Sequence, residues 1–498
     1  MKYISTRDKS LKLSSAEAIK RGLSEDGGLF VPEEFPKITK AEINSLVDKS
    51  YIERANYILA KYLTDFTKEE IAMCTNGAYG GGKFSSEKVA PVIKINDSEY
   101  ILELWHGPTC AFKDMALQIL PHFMTTSMKK TGEDKTIVIL VATSGDTGKA
   151  ALEGFKDVDG TKIIVFYPSE GVSDIQKLQM VTQSGNNVCV EGINGNFDDA
   201  QNGVKKIFTD ADLGAELEKN GYAFSSANSI NWGRLVPQIV YYISAYCDMI
   251  EGGEIKNGDK INVCVPTGNF GNILAAYYAK KMGLPINKLI CASNKNDVLT
   301  DFIRTGEYNK NRDFYQTVSP SMDILISSNL ERLLFDISGN DDKKISKMMS
   351  DLSKKGQYKL TKTLHNKITN LFWGGCCDDY FTKEQIWKTF AEDDYTLDTH
   401  TAVAVDVYKQ YISETGDMTK TIIASTASPF KFNSSVLSAL GVETNGKSEF
   451  ELLEYLKEKS DMDIPKSLAE LKNKKIRFDE VIDTDEMVSS IKETLKIK

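Results

Sequence analysis

The chain has 498 residues, a formal net charge of −9, 41% hydrophobic residues and 26% charged residues. The negative charge argues against a nucleic acid as a main partner. No stretch approaches the roughly 18 to 20 apolar residues that a membrane-spanning helix needs, so no membrane partner is expected either. A chain of this length is typical of about three domains and can bury more than one large core.

Residues 1–94 are predicted to form an amino-terminal domain of mixed, largely helical structure. Short helices are expected at 14–22, 55–63 and 68–74, the first of them capped by Ser14 or Ser15. Between the first two helices, the segment 22–32 combines glycine turns with a short apolar run. That combination is typical of a surface loop leading into an edge strand.

The segment 104–115 places one lysine among apolar residues. A turn is predicted at Gly107-Pro108, followed by a helix from Phe112 to Leu120. Lys113 would then lie at the positive end of the helix dipole, and both that dipole and desolvation lower the pKa of an ammonium group. Schiff-base chemistry requires a neutral amine. We therefore interpret Lys113 as a reactive amine rather than as a solvated surface lysine.

From residue 136 onward, apolar strands alternate with helices. We predict strands at 136–142, 162–167, 187–190, 261–265, 289–292 and 421–425, and helices opening at 143–148 and covering 173–184, 197–208, 237–250 and 272–282. Continuous apolar strands separated by helices indicate parallel sheets covered on both faces. The segment 308–395 is harder to assign, and we interpret it as an insertion on the larger domain.

The cysteines and histidines are not spaced as in a metal site. Among the eight cysteines there is no Cys-x-x-Cys pair, and among the four histidines no His-x-x-x-His pair, so no metal is expected. The vicinal pair Cys376-Cys377 lacks a partner motif and is interpreted as two incidental thiols. The first residues lack the apolar core of a signal peptide, and we expect reduced thiols in a cytoplasmic protein.

Two glycine loops that join a strand to a helix are candidate anion sites. Gly268-Asn269-Phe270-Gly271-Asn272 opens a predicted helix, where unpaired amides attract an anion and glycines let the backbone approach a phosphate. Its spacing matches neither the Walker loop nor the dinucleotide fingerprint. The second loop, Thr143–Gly148, adds hydroxyl donors that suit a carboxylate, although Ser or Asp here is also a good helix cap.

Taken together, these motifs resemble the threonine synthase family of pyridoxal-phosphate (PLP) enzymes. The run His106-Gly107-Pro108-Thr109-x-Ala111-Phe112-Lys113-Asp114 is similar to the cofactor-lysine motif of that family. Further motifs follow in the family's order from Tyr3 to at least Phe432, as in the longer form found in fungi and many bacteria. The resemblance implies an α/β protein of PLP fold type II, similar to the tryptophan synthase β subunit, with helix-covered parallel sheets and an amino-terminal domain. The expected domains are 1–94, a large PLP-binding domain at 95–135 and 230–440, a small α/β domain at 136–229, and a helical tail at 441–498.

The resemblance also implies roles for particular residues. Lys113 is expected to hold PLP, Gly268 to Asn272 to bind its phosphate, and Thr426 to meet the pyridine nitrogen. Ser144 and Thr147 are candidates for the substrate carboxylate, and Asp146 for the cofactor 3′-oxygen. Arg234, which follows Asn228-Ser229-Ile230-Asn231, is the candidate for the substrate phosphate because arginine binds phosphate through a rigid fork of donors; Asn231 is expected to assist. The chain departs from the family pattern at Ser428, where a histidine is common.

The activity implied by the resemblance is the last step of threonine biosynthesis, the conversion of O-phospho-L-homoserine and water to L-threonine and phosphate. Lys113 is expected to take the α-proton and phosphate to leave from the γ-carbon before water adds at the β-carbon. His106 and His400 are expected to be structural hydrogen-bonding residues. Two alternatives remain open: a related lyase that releases 2-oxobutyrate, and a PLP-binding relative without activity. We expect a monomer or homodimer.

Overall fold

The structure is a computed structural model that describes residues 1–143, 145–169 and 172–497. Its amino-terminal part is a small antiparallel sheet surrounded by helices, with strand order β2-β1-β3. The elements are β1 Tyr3–Ser5, β2 Lys12–Leu13, α1 Ser15–Arg21, β3 Phe30–Pro32, α2 Lys40–Leu46, α3 Tyr51–Tyr62, α4 Lys68–Tyr79 and β4 Val92–Lys94. Helices α1 to α4 each begin with a capping box, and the cap of α1 is Ser14. Each box pairs a capping side chain with a Glu and thereby satisfies two free amides at the helix start.

The next elements add β5 to a larger sheet and supply four strands, β6 to β9, of a smaller one. They are β5 Glu99–Glu103, α5 Asp114–Leu117, α6 Leu120–Lys130, β6 Thr136–Ala142, α7 Asp146–Phe155, β7 Thr161–Pro168, α8 Asp174–Val181, β8 Val188–Ile193, α9 Phe197–Thr209, α10 Ala211–Lys219 and β9 Tyr222–Ser226. The helix predicted over 112–120 is divided in two, since α5 ends at Leu117 and Pro121 opens α6. Proline suits the first turn of a helix and interrupts a longer one.

The remaining elements complete the large sheet and the carboxy-terminal part. They are α11 Trp232–Glu251, β10 Ile261–Pro266, α12 Gly271–Met282, β11 Ile286–Ser293, α13 Val298–Thr305, β12 Glu307–Asn309, α14 Leu330–Ile337, α15 Asp342–Lys355, β13 Gln357–Lys359, α16 Lys362–Leu371, β14 Phe372–Cys376, α17 Asp379–Asp393, α18 Thr399–Thr415, β15 Thr421–Ser425, α19 Asn433–Ala439, α20 Glu449–Ser460, α21 Lys466–Ala469, β16 Val481–Ile482 and α22 Met487–Leu495. Single turns of 3₁₀ helix lie at Pro320–Met322, Pro429–Phe432 and Glu470–Asn473.

The large sheet has six strands in the order β14-β11-β10-β15-β5-β4, all parallel except β4. Alternate residues of its strands enter two different cores. Val263 and Val265 pack with α11 and α12, whereas Cys264 packs with α18. Both faces are therefore covered by helices, as the continuous apolar strands predict.

The small sheet is fully parallel, with strand order β16-β8-β7-β6-β9. Its outer strand β16 belongs to the segment 441–498, for which the sequence predicted a helical tail. Two residues of strand are too few to give an alternating pattern, so the prediction missed β16. Helix α22 also packs here, and Tyr222 donates a hydrogen bond to the Leu495 carbonyl at 3.1 Å. The end of the chain is thus built into the sheet that carries the 143–148 loop.

Two further findings concern the helix predicted from residue 237 and the segment 308–395. The helix predicted from residue 237 begins at Trp232, with Asn231 as its cap and Pro237 inside it. The predicted insertion 308–395 supplies the edge strand β14 of the large sheet.

All eight cysteines are free; Cys376 is exposed and Cys377 is buried. Within the described ranges, no helix is both long and apolar enough to cross a membrane, and no cluster of ligating side chains is placed to hold a metal ion.

Candidate active site

The candidate site lies where the carboxyl ends of the parallel strands meet at one edge of the large sheet. Three segments leave the sheet there: 104–113 after β5, 267–270 after β10, and 426–432 after β15. The 143–148 loop reaches the same place from the small sheet, because Asp146 contacts Lys113. Ligands of open α/β sheets bind at such an edge.

Lys113 is the residue just before α5, and its amine faces polar groups inside the protein. Its Nζ donates a hydrogen bond to Ser321 Oγ at 3.2 Å and lies 3.6 Å from Asp146 Oδ2, while the side chain is 13% exposed. Burial lowers the pKa of Lys113; the charges of Lys431 and Arg234 lower it further, and Asp146 opposes the shift. The environment therefore favours the neutral amine that the sequence predicted.

Asp114 fixes the turn that presents Lys113. Its carboxylate accepts hydrogen bonds from the backbone N–H and the hydroxyl of Thr109, both at 2.8 Å, and from Gln118 at 3.2 Å. Burial raises the pKa of Asp114 to about 6. A Cβ at Gly107 would lie 2.5 Å from this carboxylate, so only glycine fits there. His106 lies outside this turn and bonds Glu103 and Ser85, each at 2.8 Å.

The loop 268–272 has the form of an anion site. Phe270 takes a left-handed conformation with φ 63°, which turns the chain directly into α12, and its ring packs 5.7 Å from Phe372. The Asn272 side chain accepts hydrogen bonds from Tyr241 at 2.8 Å and from Tyr242. Its buried Nδ2 has no hydrogen-bond partner among the described residues. Asn269 is exposed, and its carbonyl is held by Asn329.

Ser321 connects Lys113 to this loop. Its hydroxyl contacts Lys113, and its carbonyl oxygen would lie 2.7 Å from a Cβ added at Gly268. The backbone N–H of Ser321 donates to His400 Nε2 at 3.2 Å, and His400 Nδ1 is 3.0 Å from Asp398. Lys113 and the predicted phosphate loop therefore both lie next to Ser321.

Of the three candidate residues in the second glycine loop, the structure describes Asp146 and Thr147. Ser144 lies outside the described residues. Asp146 begins α7 and is buried, with Gln176 Nε2 at 2.9 Å and Lys431 in direct contact. Burial alone would raise the pKa of Asp146, but Lys431 and Lys113 hold it well below its usual range. Asp146 is thus a carboxylate between two amines. Thr147 follows it and is half-buried.

Arg234 is a buried cation whose donors are not all used. Nη1 donates to the Ala227 carbonyl, whereas Nε has no hydrogen-bond partner within the described part of the chain. Burial lowers the pKa of Arg234 to about 10. An unpaired buried donor is costly and marks a place where a ligand could bind.

Asn231 is used differently from what the sequence predicted. Its amide donates to the Ile19 and Ser226 carbonyls at 3.0 and 3.2 Å, and its oxygen accepts from Gly233 N–H at 2.8 Å. Both amide hydrogens are therefore taken. Asn231 caps α11 and holds the helix start that carries Arg234, and it offers no free donor to a substrate phosphate.

Thr426 lies beside the lysine turn, because its carbonyl accepts the Phe112 N–H at 2.8 Å. Ala111 and Ala427 form an isolated bridge next to it. Ser428, which stands where a histidine is common, is fully buried, and its hydroxyl has no partner in the described ranges.

Sequence reasoning missed two residues of this site, Ser321 and Lys431. Ser321 lies in a segment interpreted as an insertion, more than 200 residues from Lys113 in sequence, and no local pattern marks it. Lys431 lies in the same segment as Thr426 and Ser428, and its position between Phe430 and Phe432 is the signal in the sequence for a buried charge.

Three family profiles match successive parts of the chain. The profile described as "Threonine synthase N terminus" matches residues 2–79, "Pyridoxal-phosphate dependent enzyme" matches 86–358, and "Threonine synthase, C-terminal" matches 401–491.

Individual relatives agree with these profiles. The chain is 43% identical over 469 residues to threonine synthase-like 1 of Pongo abelii, covering 90% of this chain but only 62% of that longer protein. It is 37% identical over 440 residues to the threonine synthase of Pseudomonas aeruginosa, covering 88% of this chain and 90% of that one. The solved structure of PLP-bound threonine synthase from Brucella melitensis superposes with a TM-score of 0.88 at 36% identity, covering 100% and 99% of the two chains.

Proposed function

The chain belongs to the threonine synthase family of pyridoxal-phosphate-dependent enzymes, and on this basis we propose that it converts O-phospho-L-homoserine and water to L-threonine and phosphate. Its cofactor is PLP, and its fold is the α/β fold type II of these enzymes. The observation that supports the proposed reaction best is the buried Arg234, whose Nε has no partner among the described residues and whose charge helps to lower the pKa of Lys113. A phosphorylated substrate would supply the missing partner of that arginine.

The described residues fit PLP. Lys113 provides the amine, and the start of α12 with Gly268 and Asn272 provides backbone amides and an unpaired buried amide for a phosphate. The space beside Gly268 would be filled by any Cβ. We propose that Lys113 holds the cofactor, that residues 268–272 bind its phosphate, and that Thr426 meets the ring nitrogen.

The proposed chemistry divides between cofactor and protein. When bound, PLP supplies an electron-accepting ring that stabilises negative charge at the substrate α-carbon. Lys113 Nζ takes the α-proton, and after it has released that proton it takes a β-proton, because only the neutral amine can accept a proton. Arg234 holds the phosphate that leaves the γ-carbon, and Asp146 accepts hydrogen bonds from the protonated Lys113. Thr147 and Ser144 are proposed for the substrate carboxylate.

The proposal also covers the oligomeric state and the cellular location of the protein. We propose that the protein is a monomer or a homodimer. The eight cysteines form no disulfide, which supports a cytoplasmic location.

The proposed function is tested by product analysis. The PLP-loaded protein is incubated with O-phospho-L-homoserine, and threonine, phosphate and 2-oxobutyrate are quantified together. We expect threonine and phosphate in equal amounts. Phosphate with 2-oxobutyrate in place of threonine would identify the related lyase, and no product from a PLP-loaded protein would indicate a relative without this activity.

Replacing Gly268 with alanine is expected to weaken PLP binding by about tenfold or more, since overpacking costs roughly 1 to 3 kcal/mol. The added Cβ would lie 2.7 Å from the Ser321 carbonyl, so that backbone must move. Affinity is measured by titrating the PLP-free protein with PLP and following absorption. The matched control is Gly214→Ala on α10, where a Cβ would meet no described heavy atom within 4 Å. Equal affinities for the two variants would contradict the placement of the phosphate.

A further inference from the structure

Lys431 is a buried lysine for which the proposed reaction has no role. It lies in the 3₁₀ turn after β15, and its side chain has no exposed surface. Its Nζ contacts Asp146 Oδ1 and donates a hydrogen bond to the Thr109 carbonyl at 3.1 Å. Lysine is almost never fully buried unless it is paired, and its burial here costs free energy. The pair formed by Lys431 and Asp146 lies beside the Lys113 amine, and this position indicates a role for the buried lysine.

The carboxylate of Asp146 is shared by two amines. Its Oδ1 faces Lys431 and Gln176, while its Oδ2 faces Lys113 at 3.6 Å and Ser321 Oγ at 3.5 Å. A carboxylate that belonged to Lys113 alone would form a closer pair and hold Lys113 as an ammonium. Lys431 occupies one oxygen of the Asp146 carboxylate and places a second positive charge near Lys113.

Other charged or titratable groups also face this cluster, from each of the elements around it. They are Arg234 on α11, Asp114 on α5, the Cys110 thiol in the turn before Lys113, and His400 on α18 through the Ser321 amide. Asp114 is already bonded to Thr109, and Arg234 is a cation like Lys431. Asp146 is therefore the anion that both amines contact directly.

We propose that Lys431 is a positioning residue: it holds Asp146 in place as a carboxylate and competes with Lys113 for it, which leaves the Lys113 amine free to act as nucleophile and base. Lys431 acts through Asp146 and not by touching the substrate. This inference rests on the proposed function for its catalytic meaning, but the competition between the two lysines is a property of the protein alone.

The test measures the Lys113 amine directly in the PLP-free protein. Reductive methylation at a series of pH values, quantified by mass spectrometry of the peptide that contains Lys113, gives the pH at which half of this amine reacts. For Lys431→Met we expect that midpoint to rise by about one pH unit, so that the reactive fraction near neutral pH falls about tenfold. The sign follows because Asp146 is then left to Lys113 and a nearby positive charge is gone, so Lys113 keeps its proton to higher pH.

Two variants serve as controls. Lys431→Arg keeps the charge and is expected to keep the midpoint within about 0.3 unit of the original protein. Lys149→Met removes another buried lysine, which pairs with Glu153 at 3.0 Å and not with Asp146, and is expected to leave the midpoint unchanged. If Lys431→Met does not fold, the pH midpoint is measured on Lys431→Gln instead. This variant removes the charge and keeps a donor for the Thr109 carbonyl.

The pH dependence of the turnover rate then distinguishes the proposed role of Lys431 from the proposed function of the protein. With Lys431→Met, we expect the acid limb of the kcat profile, which reports the substrate complex in which the Lys113 amine is free, to move to higher pH, with activity recovering as pH rises. An unchanged Lys113 midpoint in the Met and Gln variants, or an equal shift in Lys149→Met, would overturn the role of Lys431 even if the original protein makes threonine. A shifted midpoint in a protein that makes no threonine would leave the role of Lys431 standing and reject the proposed function.

Discussion

Replacing Lys113 with alanine is expected to lower threonine formation by about 10⁴-fold or more, because it removes the amine that is proposed both to hold the cofactor and to transfer protons. Proton transfer by one positioned group contributes about 10²- to 10⁴-fold by itself, and here the same nitrogen is also proposed to hold the cofactor. The Lys113 amine is the group that faces Asp146 and Ser321 at the edge of the large sheet. The measurement is the rate of phosphate release together with threonine from O-phospho-L-homoserine.

Two comparisons make this result specific. Lys113→Arg keeps a cation next to Asp146 but lacks a nucleophilic amine, so it is expected to be as inactive as the alanine variant. Lys83→Ala removes a lysine from the exposed surface and is expected to leave the rate unchanged. An alanine variant at 113 that kept more than about one hundredth of the original rate would be incompatible with its assigned role.

The second large effect is expected at Arg234. Changing it to glutamine should lower kcat/KM for O-phospho-L-homoserine by about 10²- to 10³-fold, since losing a buried charged contact to a phosphate costs roughly 2 to 5 kcal/mol. The free energy of unfolding of the ligand-free protein should change by less than about 1 kcal/mol, because the variant loses one hydrogen bond but also removes an incompletely paired buried cation. Rate measurements and chemical denaturation check the two halves of this prediction.

A fully paired arginine provides the contrast. Arg54 is also buried, but it bonds Asp248 at 2.6 Å, the Ser244 hydroxyl at 2.9 Å and the Leu46 carbonyl at 2.9 Å. Arg54→Gln is expected to destabilise the protein by about 3 to 5 kcal/mol, since it leaves the buried Asp248 unpaired. If Arg234→Gln lost as much stability as Arg54→Gln and bound the substrate normally, Arg234 would be a structural residue.

The parts of the site that the sequence could predict are those built from a local segment. Lys113 and the 268–272 loop both lie where a strand passes into a helix, and that position gives a polar group or a set of amides a fixed direction. The same reasoning gave the alternation of strands and helices that places these segments at one edge of a sheet. The structure keeps Lys113 and Gly268 against the same residue, Ser321.

The parts that the sequence could not predict depend on contacts between distant segments. Ser321 enters the site from a turn between β12 and α14, and Lys431 pairs with Asp146, which begins the helix that follows β6 of the small sheet. Neither contact leaves a periodic signal in the chain. Asn231 shows the converse case, since its motif was recognised but its side chain is fully used as a helix cap. A motif identifies a segment, and only the hydrogen bonds show which atoms remain available.

The assignment of Lys113 as the amine that holds PLP can be tested by one chemical measurement. The PLP-loaded protein is reduced with borohydride, digested, and mapped by mass spectrometry for the peptide that carries a phosphopyridoxyl group. We expect that group on Lys113 alone. A phosphopyridoxyl group on Lys431 or another lysine, with Lys113 unmodified, would contradict the site described above.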